Sequence, residues 1–240
     1  MRAIAINVGA NTNEPGFRAP VRPDGTFEYV PIPESEPARD PPTYGDLAPH
    51  LDTPIPDDLR ATPVHLDPEF PEYPHCERYT YGDEHGIKAG PLSGLAAGDY
   101  VFFYATLSVT DPAPWLPPAW GAFLIGHFRL AQDAITGEEY ARLTEADRAP
   151  FANNAHVRRE TVDARVFLLG DPDESRLYER VLPLSRPTGG TDASPLVTAL
   201  SSDSGKGPWW RRPLRFDERA TRRLLALRDS FAHGLSEYHG

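Results

Sequence analysis

The chain has 240 residues, of which 40% are hydrophobic and 25% are charged, and its net charge is −11 at pH 7. This is the composition of a globular protein, and it excludes wholesale disorder and a membrane helix, which needs roughly 20 apolar residues in a row. An acidic chain is also a poor non-specific binder of nucleic acid. The one cysteine, Cys76, excludes an internal disulfide and a Cys-rich zinc site. The first residues lack the apolar core of a signal peptide, so we expect a cytoplasmic protein without membrane contact.

The first third of the chain predicts few regular elements. Residues 3–8 form a short β-like run, and the alternation in Thr26–Ile32 is typical of an edge strand that Pro33 would stop. Fifteen of the 27 prolines precede residue 76. We therefore expect residues 33–75 to be an ordered, extended, proline-rich segment that wraps over the domain without forming a domain of its own.

The middle of the chain carries the strongest strand signals. Asp99–Val109 and Trp120–Leu130 are rich in β-branched and aromatic residues and are joined by a proline-rich loop, which predicts an antiparallel pair. A third strand is predicted for Ala164–Leu169. Between them, Thr136 and Thr144 are placed to cap two short helices.

The clearest helix is the last one, Asp217–His233, which Asp217 would cap and Gly234 would end. Its apolar face is expected to consist of Ala220, Leu224, Leu227 and Phe231. Because strands and long helices do not alternate, the pattern is that of an α+β fold. We expect one β-rich domain over residues 1–240 with a central antiparallel sheet.

The most chemical-looking pair is His65 and Asp67. On a strand, residues two apart share a face, so the imidazole and the carboxylate could act as acid and base or share a metal. The competing interpretation is a loop histidine and an aspartate that caps the turn before Pro68. His75 and Cys76 follow at a spacing that matches no recognised metal motif, so we predict no metal site and leave any cofactor open.

Two further groups could recognise a base. Tyr79 and Tyr81 share a strand face and could stack a base, although core aromatics are the commoner case. Asn153, Asn154 and Arg158 combine amides, which read base edges, with a guanidinium; the alternative is ordinary turn chemistry. His156 lies among them as a second candidate acid or base.

The late segment Trp209, Trp210 and Arg211 pairs aromatic rings with a cation, which suits a nucleotide or nucleic acid. Here the alternative is a buried tryptophan followed by solvated arginines. Residues 201–240 carry eight basic and five acidic groups, so a local basic face is best placed there. We expect all these clusters to converge on one concave pocket, because polar and aromatic groups from separate loops rarely gather without a ligand.

Several different short segments follow one another in a characteristic order along nearly the whole chain. They are Ala19–Val21, Asp24–Thr26, Pro31–Pro33, His65–Glu69, Gly98–Tyr104, Ile125–Gly126, Asn153–His156 and Gly207–Leu214. This order resembles the nucleotide-modification-associated domain family, type three, a group associated with DNA base modification. The two central strands are also similar to those of PUA-like domains (the ASCH, EVE and YTH group), which implies a pseudo-barrel that seats a modified or flipped base.

The resemblance implies a nucleotide- or nucleobase-handling protein whose partner is a nucleotide, a nucleobase or DNA. In this interpretation a modified base is recognised in an aromatic and polar pocket. One alternative is an enzyme that transforms the base by acid and base chemistry through His65, Asp67 or His156. Another is an interaction module whose proline-rich segment docks a partner. The sequence leaves the choice between reader and enzyme open, and also the oligomeric state.

Overall fold

The computed structural model describes residues 1–233, and their side chains as far as Arg228. The predicted α+β class is confirmed. The strands are β1 (Ala3–Asn7), β2 (Pro20–Val21), β3 (Ile32–Pro33), β4 (Val64–His65), β5 (Thr80–Asp83), β6 (Tyr100–Val109), β7 (Trp120–Arg129), β8 (Ile135–Thr136), β9 (Val166–Leu169), β10 (Arg176–Pro183), β11 (Ser185–Arg186), β12 (Gly189–Ala193) and β13 (Leu214–Phe216). The α-helices are α1 (Tyr44–Leu47), α2 (Gly86–Leu92), α3 (Gly137–Tyr140), α4 (Glu145–Arg148), α5 (Ala155–Arg158), α6 (Pro195–Thr198) and α7 (Glu218–His233). Short 3-10 turns span Ala48–His50, Asp57–Leu59, Ala149–Phe151 and Trp209–Arg211.

The chain divides into two compact units, each built from separate stretches of sequence. The first unit holds residues 1–30, 100–126 and those from 178 onward, and the second holds residues 31–99 and 127–177. The single domain over residues 1–240 stays a prediction, because two compact units can still belong to one domain. Within residues 1–233, no helix combines the length and the apolar character needed to cross a bilayer.

The largest sheet has the strand order β10-β7-β6-β1-β13, and β2 also pairs with β6. The predicted pairing of β6 with β7 is confirmed. The Val109 N–H donates to the Ala119 carbonyl (2.9 Å) and the Leu130 N–H donates to the Asp99 carbonyl (2.8 Å), which is an antiparallel register. β1 runs parallel to β6, so the sheet is mixed rather than wholly antiparallel. A PUA-like barrel stays a prediction.

The first unit has a core on which α7 packs. Tyr100–Leu107 of β6 are all buried, which is why this strand has a continuous apolar sequence instead of an alternating one. Ala220 and Leu224 of α7 are buried in the same core as Phe102 and Trp209. The helix therefore closes the core that β6 lines.

The capping and amphipathic pattern predicted for α7 is confirmed. Asp217 caps the helix, since its Oδ1 accepts a hydrogen bond from the Ala220 N–H (2.8 Å). The three arginines on its outer face are exposed, namely Arg219, Arg222 and Arg223. Leu227 is half-buried. The side chain of Phe231 and the whole of Gly234 lie outside the described residues.

The edge strand predicted for Thr26–Ile32 is wrong. Only isolated bridges occur at Thr26 and Phe27, and the strand β3 is two residues long. Proline has no N–H to donate to a ladder, so Pro31 interrupts this stretch before β3, and Pro33 is the residue at which β3 ends.

The proline-rich segment 33–75 is ordered and contains only short elements, as predicted. It belongs to the second unit, where β3 pairs antiparallel with β4 and places Ile32 opposite His65. Its helix α1 begins at a capping box in which the Thr43 side chain and the Asp46 side chain each bind the other's backbone N–H. This segment is therefore part of the structure of the second unit.

The second unit also contains the antiparallel sheet β5-β9-β8. β9 confirms the predicted third strand. The two threonine caps are confirmed as well, because Thr136 caps α3 in a capping box with Glu139, and Thr144 caps α4. The sheet fixes the position of β5, on which the site described below depends.

We expect Leu224→Ala to destabilise the first unit by about 2–5 kcal/mol, because it leaves a cavity under α7. All four tryptophans belong to this unit, so the urea midpoint of tryptophan fluorescence reports its unfolding. Arg223→Ala on the exposed face is the control and should change the stability by less than about 0.5 kcal/mol. Equal midpoints for the two variants would contradict the packing of α7.

Candidate functional site

A group of buried polar side chains lies in the second unit, beginning with His65 at the end of β4. The pairing of β4 with β3 brings the residue after Pro33 beside it, and His65 Nδ1 lies 2.7 Å from Glu34 Oε2. A carboxylate only accepts, so Nδ1 carries a hydrogen, and in the neutral imidazole Nε2 is then the nitrogen with the lone pair. The imidazole is thus held in one tautomer and one orientation.

Asp67 lies two residues further on and is bound by backbone and side-chain donors. The Gly82 N–H of β5 donates to its carboxylate (3.0 Å to Oδ2), and Asn154 Nδ2 donates to Oδ1 (3.0 Å). The Asp67 side chain is only 1% exposed. This carboxylate therefore connects the loop after β4 with β5 and with the start of α5.

His156 enters the group from α5. Asn154 caps this short helix, since its Oδ1 accepts from the His156 N–H (3.1 Å), and His156 Nδ1 lies 2.8 Å from Asp163 Oδ1. The Nε2 atoms of His65 and His156 lie 3.9 and 3.6 Å from Asp67 Oδ2. The structure thus brings together the three residues that the sequence offers as catalytic candidates, although their catalytic role stays a prediction.

A buried guanidinium that sequence reasoning missed holds the outer carboxylates. Arg159 donates to Glu34 (2.8 Å), and it also bonds Glu84 and Asp163. A charge pair this deeply buried needs every partner satisfied, and here each carboxylate faces the same cation. Arg159 therefore orders the acids that orient both histidines.

The surroundings shift the pKa values of these groups in different directions. Burial raises the pKa of Asp67 well above its ordinary value, although the bonds from Gly82 and Asn154 act in the opposite direction. Burial lowers the pKa of His156 to about 4. Hydrogen bonds from His65 and Arg159 outweigh burial at Glu34 and lower its pKa to about 2. At neutral pH, His156 is therefore neutral and Glu34 is ionised.

The two tyrosines predicted to stack a base are covered. Tyr79 and Tyr81 are 8% and 3% exposed, and their hydroxyls donate to Glu72 and Asp83, both at 2.6 Å. Base stacking needs an open ring face. A stacking role for either ring stays a prediction, and the contacts favour the alternative of core aromatics.

Asn153 and Arg158 line a cleft of about 620 Å³ in the second unit. Asn153 Nδ2 donates to Glu69 Oε1 (2.5 Å) and to the His75 carbonyl (3.0 Å). Arg158 Nε donates to the Arg39 carbonyl (3.1 Å). The remaining lining residues are Asp40, Pro41, Pro42, Asp46, His75, Cys76 and Glu77. The cleft thus contains three carboxylates and one guanidinium.

A smaller cavity of about 10 Å³ shares four lining residues with the cleft: Pro41, Pro42, Asn153 and Arg158. Glu34 lines it as well. A volume of this size is about one water-sized probe sphere. It separates the cleft from the carboxylate that orients His65.

The tryptophan segment belongs to the first unit. Trp209 is fully buried and its indole N–H donates to the Thr191 carbonyl (2.7 Å). Trp210 is half-buried with its ring edge-on to Trp120, and Arg211 is exposed. Of the predicted clusters, those of His65 and Asn154 meet within the second unit, and convergence with the tryptophans stays a prediction.

The family comparison agrees with the order of segments noted in the sequence. A family model described as nucleotide modification associated domain 3 matches residues 2–226, nearly the whole chain. The chain belongs to this family. No curated protein and no solved structure matches it.

Gly82 is the tightest position around the buried group. A Cβ there would lie 2.7 Å from His156 Cδ2 and 3.2 Å from Asn154 Oδ1. We expect Gly82→Ala to displace the His156 ring and to destabilise the protein by about 1–3 kcal/mol, as overpacking does. Histidine ring NMR signals and urea unfolding followed by circular dichroism measure the two effects.

Gly90→Ala is the matched control for this substitution. No atom lies within 4 Å of a Cβ at Gly90, which is in the helix α2. Alanine favours a helix, but Pro91 follows directly and disfavours a side chain on a helical residue before it, so this variant should change the stability by less than about 1 kcal/mol. Unchanged histidine signals in Gly82→Ala would contradict the close contact of Gly82 with His156.

Proposed function

We propose that this protein recognises a nucleobase, free or carried by a nucleotide or DNA, in the 620 Å³ cleft of the second unit. The cleft has the size of a small-molecule site, which is commonly about 300–1,000 Å³. The membership of the chain in a nucleotide modification associated family supports a base-bearing ligand. The observation that carries the proposal is the polar lining of this cleft.

The charges of the lining favour the base over the phosphate. Asp40, Asp46 and Glu77 supply three carboxylates against the one guanidinium of Arg158. Phosphates are repelled by such a surface, whereas carboxylates accept hydrogen bonds from exocyclic amino groups of bases. The ligand is therefore a base whose amino group points at the acids and whose phosphate, where present, stays outside.

Glu77 and Asp40 are the two cleft acids with exposed side chains that are placed to receive an amino group, and Glu77 is the one whose substitution tests the proposal. Its side chain is exposed and forms no hydrogen bond with the described residues, whereas Asp46 is already bound by the Thr43 N–H and hydroxyl. Arg158 also lines the cleft and is held by bonds to the Arg39 and Asp40 carbonyls. Glu77 thus selects the ligand, and Arg158 shapes the cleft.

Calorimetric titration of the full chain with deoxycytidine, deoxyadenosine and thymidine tests the proposal. We expect the two amino-bearing nucleosides to bind and thymidine, which has no exocyclic amine, to bind at least about tenfold more weakly. Glu77→Gln should weaken deoxycytidine binding by about 10–100-fold, the value of a hydrogen bond to a charged group. Raising the salt from 50 to 200 mM should change the affinity little, because no phosphate is neutralised.

Glu138→Gln is the matched control, since Glu138 is an acid of the same unit with an 87% exposed side chain outside the cleft lining. It should bind as the natural chain does. Absence of binding to all three nucleosides, or equal affinities in Glu77→Gln and Glu138→Gln, would overturn the proposal.

A second candidate function is an enzyme that transforms such a base. The observation that favours it is the position of two imidazoles around one buried carboxylate, since His65 Nε2 and His156 Nε2 lie 3.9 and 3.6 Å from Asp67 Oδ2, an arrangement suited to proton transfer. Their burial means that the surrounding side chains have to move before a substrate can reach them.

We expect an enzyme of this kind to change the mass of a base-bearing substrate. Mass spectrometry after incubation with deoxynucleosides and with short oligonucleotides measures the change. Asp67→Asn, nearly identical in shape, should abolish it and leave the circular dichroism spectrum intact, whereas His85→Gln at a 76% exposed side chain should not. A protein that alters none of these compounds is not an enzyme for these substrates.

A further inference from the structure

The two buried imidazoles present unused nitrogen atoms to the same carboxylate oxygen. His65 and His156 are 7% and 3% exposed, and their rings are edge-to-face with centroids 4.8 Å apart. The Nε2–Oδ2 distances of 3.9 and 3.6 Å to Asp67 exceed a hydrogen bond. Among the described residues, neither Nε2 atom has a hydrogen-bond partner. Both rings are nearly buried, and a ring nitrogen without a partner in such a place leaves room for a water molecule or an ion.

The orientation of both rings is the one found around bound metals. Glu34 and Asp163 each accept from an Nδ1–H, at 2.7 and 2.8 Å, which leaves the Nε2 lone pairs directed inward. Metal-binding histidines almost always donate their other ring N–H to such an outer acceptor. Each histidine therefore has a nitrogen that could bind a metal on the inside and a carboxylate that orients its ring on the outside.

The third metal-ligating atom would be Asp67 Oδ2. Asp67 Oδ1 accepts from Asn154 Nδ2, and the Gly82 N–H binds the carboxylate from one side, so Oδ2 keeps a lone pair facing the histidines. The three donor atoms lie within 4.8 Å of one another. Bonds of 2.0–2.1 Å in a tetrahedral site put the ligand atoms about 3.4 Å apart. The two Nε2–Oδ2 pairs, at 3.9 and 3.6 Å, have to close by only a few tenths of an ångström, whereas the two imidazole nitrogens have to approach each other by up to about 1.4 Å, which rotation of the rings supplies.

A neighbouring cluster shows what a satisfied site in this unit looks like. Glu84, His156 Nδ1 and Asp163 are also close together, but the Arg159 guanidinium lies between the two carboxylates and bonds both. That cluster already contains its cation. The inward-facing atoms of His65, Asp67 and His156 have no such cation among the described residues, because Arg159 contacts the outer acids and, at 3.4 Å, the outer nitrogen Nδ1 of His156.

We propose that His65 Nε2, Asp67 Oδ2 and His156 Nε2 bind one divalent first-row transition-metal ion. Two imidazole nitrogens and one carboxylate oxygen suit Fe²⁺, Zn²⁺ or Co²⁺, whereas Mg²⁺ and Ca²⁺ take oxygen ligands only. Three ligands of this kind leave coordination positions open to water or another molecule. The proposal does not depend on the nucleobase site, since it rests on these three side chains and their acceptors.

Metal loading of the full, untagged chain tests the inference. The protein is stripped with a chelator, exchanged into buffer, loaded with Zn²⁺ or Co²⁺, desalted and measured by elemental analysis. We expect one ion per chain. His65→Gln, Asp67→Asn and His156→Gln should each lower the Zn²⁺ affinity at least tenfold in calorimetric titration, and the visible bands of bound Co²⁺ should disappear with them.

His85→Gln is the matched control, because it removes an exposed histidine of the same unit and should leave the stoichiometry and the affinity unchanged. Imidazole ¹H–¹⁵N spectra of the natural chain test the site without any substitution, so the result does not depend on whether a variant folds. On addition of Zn²⁺, the Nε2 signals of two histidines should shift while their Nδ1 atoms stay protonated.

Substoichiometric metal, no shift of histidine Nε2 signals, or equal affinity in Asp67→Asn and the natural chain would each overturn the metal site. Nucleoside titration of the same preparations keeps the two proposals separate. Metal binding without nucleoside binding would contradict the proposed base site alone, and nucleoside binding without metal would contradict the metal site alone.

Discussion

The buried carboxylate of Asp67 is the interaction on which the second unit's site depends. It accepts from the Gly82 N–H of β5 and from the Asn154 amide, which in turn caps α5 and binds the Thr80 hydroxyl. Three separate stretches of chain thus share one group that is 1% exposed. Removing such an acceptor leaves buried donors unsatisfied, a loss of about 1–3 kcal/mol for each.

The proline-rich segment gains its order from polar contacts, since prolines cannot donate to a ladder. The Arg39 N–H donates to the Arg158 carbonyl (2.8 Å), and the Glu160 N–H donates to the Pro37 carbonyl (3.0 Å). These bonds fix the stretch against the end of α5, which fixes Glu34 next to His65 and puts Pro41 in the cleft wall. The extended segment is therefore what connects the cleft with the buried histidines.

Sequence patterns predict those parts of the molecule whose signals are local. The strands β6 and β7, the threonine caps and the helix α7 follow from apolar periodicity and capping residues, and the pair His65 and Asp67 follows from its two-residue spacing. The residues that surround this pair could not be predicted from such local signals. Glu34 meets Arg159 across 125 residues of chain, and charged side chains in a loop are usually solvated, so only the fold distinguishes this buried pair.

The carboxylates around the two histidines differ in whether a cationic side chain bonds them. Arg159 contacts Glu34, Glu84 and Asp163, while no cationic side chain of the described residues bonds Asp67. Burial without a cation beside it raises the pKa of Asp67 above its ordinary value. The same carboxylate ionises when a positive charge lies beside it. The proposed metal ion would supply that charge, between two imidazoles whose Nε2 atoms face Asp67 Oδ2 at 3.9 and 3.6 Å.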